Sequence, residues 1–296
     1  MVCFLARGET PEQQRRKVMS EGKWVDLHMH SSFSDGVRTP SELVALARGR
    51  GLAAIGLTDH DCLGGIAEMM RAAAQAGLEA LPGVELSCEH RGRDLHILGY
   101  GVKAEDAAFR ELLTRFRNAR EERGLKIIAK LADMGIHLDS ARVLAKATNG
   151  VLGRPHIAEE LIDGRYAKDF AEAFEKYIGE DCPAYVKKYK MTPGEAVSAI
   201  RASGGLAFVA HPGFYLDDID AFHELLEGGF DGIEVLHPKH DAETRERLRR
   251  IAQERGMLMS GGSDYHGFVG RDIPGEPKVP YAFYIQIRER LQGARA

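Results

Sequence analysis

From Val25 onward, short apolar runs of four to seven residues alternate with amphipathic stretches in which apolar positions recur at helical spacing. The runs Val25–His30, Ala53–Thr58, Leu78–Val84, Leu95–Gly101, Leu206–Ala210, Gly232–Leu236 and Met257–Ser260 read as strands. Thr39-Pro40-Ser41-Glu42 starts a helix, with Thr39 as N-cap, Pro40 at the first helical position and Glu42 closing a capping box. Thr192-Pro193-Gly194-Glu195 repeats the device before Ala196–Ala202. Strand and helix in alternation predict a parallel sheet with right-handed crossovers, and seven strands predict an incomplete or distorted (βα) barrel.

The pattern breaks twice. Residues 1–22 are polar without a periodic apolar face and read as a loose, flexible N-terminal arm, with Met19 a candidate start. Between about Lys103 and Lys190 no strand is evident. A long helix from Ala104 to Met134 is followed by helical pieces at Ser140–Lys146, Pro155–Ile162 and Phe170–Tyr177. The predicted organisation is a barrel built from residues 23–102 and 191–296, with a helical insertion over 103–190 covering its active site.

Composition narrows the class. The chain has 296 residues, 44% hydrophobic and 28% charged, which suits a globular fold and excludes a disordered or fibrous one. A net charge of −4 excludes binding to nucleic acid through bulk positive charge, so no stable DNA complex is expected. No apolar run reaches the ~18 residues of a membrane helix, and no signal-peptide core precedes the first charges, so no membrane association is expected. Cys3, Cys62, Cys88 and Cys182 are scattered, without the paired spacing of a disulfide framework or thiolate zinc site. A reducing, cytoplasmic location follows as the expectation.

The chemistry lies in the placement of the twelve histidines. In Asp26-Leu27-His28-Met29-His30, alternate side chains share a face of the strand, which brings His28 and His30 together. His60 ends the second strand within Thr58-Asp59-His60-Asp61, Glu85 follows Pro82-Gly83-Val84, and His211 ends Leu206–Ala210. Ser263-Asp264-Tyr265-His266 follows the last strand, and His96 is expected near the same rim. In parallel barrels functional groups collect at the carboxyl ends of the strands; core histidines have no reason to choose that edge repeatedly. With Asp35 the set comprises His28, His30, Asp35, His60, Glu85, His96, His211, Asp264 and His266. Imidazole and carboxylate without thiolate suit two or three Zn, Mn or Fe ions, with Glu85 the expected bridge. Such a cluster polarises a phosphoryl oxygen and lowers the pKa of a bound water to give hydroxide at neutral pH, which is phosphate-ester hydrolysis.

These motifs, Asp26-Leu27-His28-Met29-His30-Ser31 with Asp35-Gly36, Thr58-Asp59-His60-Asp61, Gly83-Val84-Glu85, Leu95-His96, Ala210-His211-Pro212 and Ser263-Asp264-Tyr265-His266, resemble those of the PHP (polymerase and histidinol phosphatase) metal-dependent phosphoesterases from Val25 to His266. The resemblance implies a distorted (βα)7 TIM-like barrel with a trinuclear centre. It implies His28, His30, Glu85 and Asp264 at the first metal, Glu85, His96 and His211 at the second, and Asp35, His60 and His266 at the third. Asp35 stands where some members have His, which leans that site toward Mn or Fe.

Gly153-Arg154-Pro155-His156-Ile157-Ala158, followed by Pro183-Ala184-Tyr185-Val186, resembles the helical subdomain of members acting on nucleotides: 3′,5′-nucleoside bisphosphate phosphatases and 5′→3′ exoribonucleases. By that resemblance Arg154 and His156 face the substrate phosphate and, with Asp264 and His266, form the catalytic set. Pro155 departs from the small polar residue expected between them. Lys239, beside His237 at a strand end, is a further candidate for phosphate contact, and Tyr185 and Tyr189, near Lys187 and Lys188, for base stacking. Arg110, Arg115, Arg117, Arg120, Arg123 and Lys126 line the long helix, but interleaved Glu111, Glu121 and Glu122 favour a solvated face over a track for a phosphodiester backbone. The expected activity is hydrolysis of a small nucleotide such as adenosine 3′,5′-bisphosphate. The alternatives are exoribonuclease action releasing 5′-mononucleotides from short RNA, and a catalytically silent PHP scaffold, which the complete ligand set disfavours. The helical insertion argues against a histidinol-phosphate phosphatase.

Overall fold

The computed structural model describes residues 22–146, 152–187, 190–267 and 273–293. Residues 1–21 of the expected arm, Cys3 among them, with Lys188, Tyr189 and the side chain of Arg117, lie outside that description. Eight strands form one sheet: β1 (Trp24–Asp26), β2 (Ala54–Leu57), β3 (Glu79–His90), β4 (Arg93–Tyr100), β5 (Leu206–Val209), β6 (Gly232–Leu236), β7 (Leu258–Gly261) and β8 (Val279–Pro280). Their order is β7-β6-β5-β4-β3-β2-β1-β8. The ring closes where the chain beyond β1 meets the chain beyond β7: Leu27 N donates to Gly261 O at 3.1 Å and Met29 pairs in parallel with Tyr265. This is the distorted barrel that the strand pattern predicts.

One feature departs from the parallel expectation. β4 runs antiparallel to both β3 and β5, and β8 is antiparallel to β1, while β1–β3 and β5–β7 are parallel. The cause is local. Arg91 and Gly92, both at positive φ (50° and 78°), make a two-residue turn that folds β3 directly back into β4. Positive φ at both central residues matches the right-handed twist of a hairpin, and no crossover helix is needed. The reversal sends the first half of β4 to the carboxyl end of the parallel strands, which is how His96 reaches the rim.

The helices form where their caps predict. Pro40–Gly49 and Pro193–Ala202 both start on complete Thr–Glu capping boxes. Among the described residues, those between β4 and Met191 form no strand. A 27-residue helix, Ala107–Asp133, leaves the barrel and is followed by Ser140–Lys146, Arg154–Asp163 and Phe170–Ala173, the last running into a wider turn at Phe174–Ile178. Phe109, Leu113 and Phe116 at the start of the long helix pack into the barrel core. Further along, Ile127 and Leu131 join Val143, Leu152, Ile157, Leu161 and Ile178 in a second apolar cluster. Gly124 permits this junction: a Cβ there would stand 2.2 Å from Leu152 Cδ2. No helix among the described residues is long and apolar enough to cross a membrane.

Candidate metal centre

Beyond β1, the alternation of Leu27-His28-Met29-His30 divides the side chains. Leu27 and Met29 are fully buried in the apolar core, while His28 and His30, equally buried, point into the rim. Asp26 shares their face, but its carboxylate accepts the amides of Ser263 (2.9 Å), Gly275 (2.8 Å) and His28 (3.3 Å). It ties three segments together and takes no place among the candidate ligands.

All nine sequence-derived ligands converge. His28, His30, Glu85 and Asp264 form one group of donors, His30, Asp35, His60 and His266 a second, and His60, Glu85 and His96 a third. The first contains the four residues expected together. The other two share His30 and His60 more widely than the expected partition. Glu85 joins the groups through its two oxygens. Oε2 lies 3.2 Å from His28 Nε2, His30 Nε2 and His60 Nδ1, while Oε1 lies 2.9 Å from His96 Nδ1 and 3.0 Å from His211 Nε2. Asp264 Oδ1 stands 3.4 Å from His28 Nε2 and 3.2 Å from His30 Nε2. Asp35 bounds the outer side, 3.4 Å from His266 Nε2 and 3.7 Å from both His30 Nδ1 and His60 Nε2.

These spacings suit a cation. Four N or O donors held at the roughly 2.0–2.2 Å typical of zinc stand about 3.3–3.6 Å apart. The Nε2 atoms of His28 and His30 face each other at 3.1 Å. The buried Nδ1 atoms of His30 and His60 have no hydrogen-bond partner among the described residues. Electrostatics agrees. Burial opposes charge on His30, yet hydrogen bonds to Asp264 and Glu85, with the charges of Glu85 and Asp35, raise it to about 10. Burial also opposes charge on His28, and Glu234, Glu85 and Asp264 raise it well above the usual imidazole range. Burial would raise Asp35 and Asp264, but the surrounding imidazoles hold both far below ordinary carboxylates. The carboxylates thus favour positive charge at these imidazoles, as a divalent cation would supply.

The support around the centre includes residues that the sequence reading missed. Glu234 is fully buried in the middle of β6; its Oε1 accepts from His28 Nδ1 at 2.9 Å and its Oε2 from the His211 amide at 2.7 Å. A carboxylate can only accept, so His28 Nδ1 carries the proton and Nε2 is left for the rim. Asp59 takes Ser31 N (2.7 Å), Ser31 Oγ (2.7 Å) and Ser34 Oγ (2.6 Å), fixing the loop that carries Asp35. The signal for Glu234 was in the sequence: an acid inside the apolar run Gly-Ile-Glu-Val-Leu must be partnered if that run is buried. His211 (φ 30°), Asp264 (φ 53°) and Asp61 (φ 48°) hold left-handed backbone, strain that clusters at this site. Gly262 lets the chain pass, since a Cβ there would lie 2.4 Å from His28 N.

The remaining candidates sit around the rim. Arg154 opens its helix, donates to Ile178 O at 3.3 Å and lies over Phe174 and Tyr185. Pro155 occupies the first turn, where its missing N–H costs nothing. Burial lowers His156 below the ordinary imidazole value, against the charge of Glu159 and the hydrogen bond from Gly153 N, with a smaller contribution from Asp35. His237 is buried, with Nε2 at 3.4 Å from Asp264 Oδ2 and Nδ1 accepting from Lys239 N. The Lys239 ammonium rests over Phe214, 5.5 Å from its ring centre. A cavity of about 500 Å³ beside the centre is lined by Phe33, Asp61, Cys62, Arg110, Leu113 and Thr114.

A family model, the PHP domain, matches residues 26–183. Over 267 residues the chain is 35% identical to a 3′,5′-nucleoside bisphosphate phosphatase of Chromobacterium violaceum, covering 86% of this chain and 92% of the relative. It is 36% identical over 251 residues to a 5′-3′ exoribonuclease of Haemophilus influenzae, covering 82% and 90%. Among solved structures, a protein of Bifidobacterium adolescentis provisionally described as a metal-dependent phosphoesterase superposes with a TM-score of 0.80 at 28% identity, over 92% of this chain and 97% of that one.

Proposed function

Because the chain belongs to the PHP family and is a metal-dependent phosphoesterase, we propose that it hydrolyses the phosphate ester of a small nucleotide such as adenosine 3′,5′-bisphosphate. The observation that carries the reading is Glu85, whose two oxygens face different sets of imidazoles and so can serve neighbouring ions. In this reading His28, His30, Asp35, His60, Glu85, His96, His211, Asp264 and His266 hold two or three Mn, Fe or Zn ions. Such ions supply polarisation of the phosphoryl oxygens and a water of lowered pKa.

The chain's own residues then orient and move protons. Glu234 keeps His28 Nε2 turned to the rim. His266 Nδ1 donates to Asp264 O at 2.8 Å, and its Nε2 faces Asp35 Oδ1 at 3.4 Å. Asp264 Oδ2, 3.4 Å from His237 Nε2, is oriented by that imidazole while Oδ1 faces His28 and His30. Arg154 supplies a two-toothed fork for phosphate oxygens, and His156, kept neutral by its burial, adds a hydrogen bond. Lys239 contributes charge at the far side of the rim. The cavity beside Phe33 has room for the nucleoside.

A second reading, release of 5′-mononucleotides from short RNA, is supported by the likeness to the Haemophilus exoribonuclease. The Mn-loaded protein should be offered adenosine 3′,5′-bisphosphate and a short 5′-phosphorylated RNA, and the products separated. Faster hydrolysis of the bisphosphate supports the first reading, and stepwise mononucleotide release the second. Turnover of neither, in protein that cleaves an aryl phosphate, rejects both.

A further inference from the structure

The turn that brings His211 to the metal centre also carries an aromatic ring that the described residues leave half uncovered. Beyond β5 the chain passes through His211 into a short 3₁₀ turn, Pro212–Tyr215. Three contacts pin that turn: Gly213 N donates to His240 Nε2 at 3.0 Å, Arg93 donates to Phe214 O, and the buried Tyr215 donates its hydroxyl to Asp94 O. The first depends on glycine, since a Cβ at Gly213 would stand 2.6 Å from His240 Cδ2. Phe214, between these anchors, stays 51% exposed. Its ring centre lies 6.2 Å from that of His211, with the two planes at 73°. The Lys239 ammonium rests over the same phenyl ring, 5.5 Å from its centre.

A lone exposed apolar side chain needs no explanation. Phe214 differs in where it stands and in how it is held. His211 Nε2 lies 3.0 Å from Glu85 Oε1, so only one imidazole separates the phenyl ring from the bridging carboxylate. The cavity lined by Phe33, Asp61 and Cys62 opens beyond β2, beside His60, whereas Phe214 stands beyond β5, with β3 and β4 between them in the sheet. The two apolar surfaces therefore flank the centre from different sides. A ring on a pinned turn loses little freedom on contact, and every nucleobase has a π-face to lay against it. Lys239, attracted to the ring, keeps a positive charge beside that surface.

We propose that Phe214 is a stacking platform for a second nucleobase, so that the centre takes a phosphate ester flanked by two nucleosides. One nucleoside enters the Phe33 cavity. The other, on the opposite side of the scissile bond, lays its base on Phe214 with its backbone charge beside Lys239. The ligand is the terminal dinucleotide of an oligonucleotide, of any sequence, because stacking reads no base edge. The inference rests on the nucleotide reading above and deepens it: Phe214 supplies affinity for the nucleoside on the leaving side of a diester.

The test compares a 5′-phosphorylated dinucleotide with the same molecule lacking its second base, and adenosine 3′,5′-bisphosphate is assayed beside them. The parent, Phe214→Leu and Phe214→Tyr are used as Mn-loaded enzymes, with metal content and turnover of an aryl phosphate measured for each. Both replacements keep a large side chain at a half-exposed position, and tyrosine keeps the ring. The parent should favour the dinucleotide with two bases by about five- to a hundredfold, chiefly through KM. Phe214→Leu should lose that preference and Phe214→Tyr keep it. A preference that survives in Phe214→Leu, or that is lost equally in Phe214→Tyr, overturns the platform. A parent that cleaves the bisphosphate but neither dinucleotide, or both dinucleotides equally, overturns it too and leaves the nucleotide reading intact. A parent that cleaves no nucleotide at all fails the reading beneath it and the platform together.

Discussion

Glu234→Gln separates the role of the carboxylate from that of its volume. The carboxylate takes two bonds at once, from His28 Nδ1 at 2.9 Å and from the His211 amide at 2.7 Å, and it is fully buried. A glutamine has one acceptor oxygen, so its NH₂ must face either the imidazole or the amide. Facing the amide sets donor against donor at a residue already held at φ 30°. Facing the imidazole forces Nδ1 to accept and Nε2 to carry the proton, which removes Nε2 as a ligand. Either arrangement loses a charge-assisted bond worth about 1.5–3 kcal/mol. Comparable losses behind metal-bound imidazoles lower metal affinity about ten- to a hundredfold. The assay is competition for Mn or Zn against a chelating indicator, with ions per chain counted beside phosphatase rate. One ion should be held more weakly while the others stay. Unchanged affinity for every ion would show that Glu234 only fills space, and the argument from the proton on His28 would fail.

Four further predictions concern the centre itself. Chelation should abolish phosphate-ester hydrolysis and Mn restore it. Glu85→Ala, which removes a neighbour of five imidazoles at once, should cost more activity than Arg154→Ala and also lower the metal content; equal losses with full metal content would refute the bridging role. Metal uptake should weaken as pH falls, because a cation must displace the protons that His28 and His30 retain, His30 up to about 10, whereas His60, which burial holds near 3, has none to lose. The sign for stability of the metal-free protein is fixed by the same groups. The raised imidazoles contribute fully below their ordinary value of 6.5 and lose that contribution as pH rises through about 10. The lowered Asp35 and Asp264 contribute above the carboxylate range and lose it on acidification. Thermal melts of chelated protein across pH should therefore fall on both sides, and a melting temperature still rising between pH 7 and about 10 would contradict the raised imidazoles.

The centre was legible because its donors are short-range facts. A His-x-His alternation near a strand end fixes direction without knowledge of the rest of the fold, and each later ligand stands within a few residues of an apolar run whose carboxyl end is visible in the sequence. The capping boxes at Thr39 and Thr192 were legible for the same reason, since each closes within four residues. What stayed hidden depends on partners far along the chain. Nothing within Gly232–Leu236 says that its glutamate meets an imidazole 206 residues earlier. The tight turn at Arg91-Gly92 carries a weaker sequence signal than Asn-Gly, so the reversal of β4 went unread.

The arginines of the long helix show why charge patterning alone misleads. Glu111, Glu121 and Glu122 stand among them, and by composition the helix is an ordinary solvated surface. Exposure, however, is decided by which face the helix turns to its neighbours. Phe109, Leu113 and Phe116 anchor its first half to the barrel, and Ile127 and Leu131 anchor its second half to the helical cluster. The positions between these anchors, Arg120 and Arg123, fall where the two cores part above the rim, so the helix must bridge that gap with polar side chains. Arginine reaches across such a gap with an apolar stem and a charged end. The two apolar anchors thus dictate which face of the helix turns inward: Arg120 and Arg123 stand on it while Glu121, Glu122 and Lys126 are exposed, and the anchors are the feature of the sequence from which the inward arginines can be read.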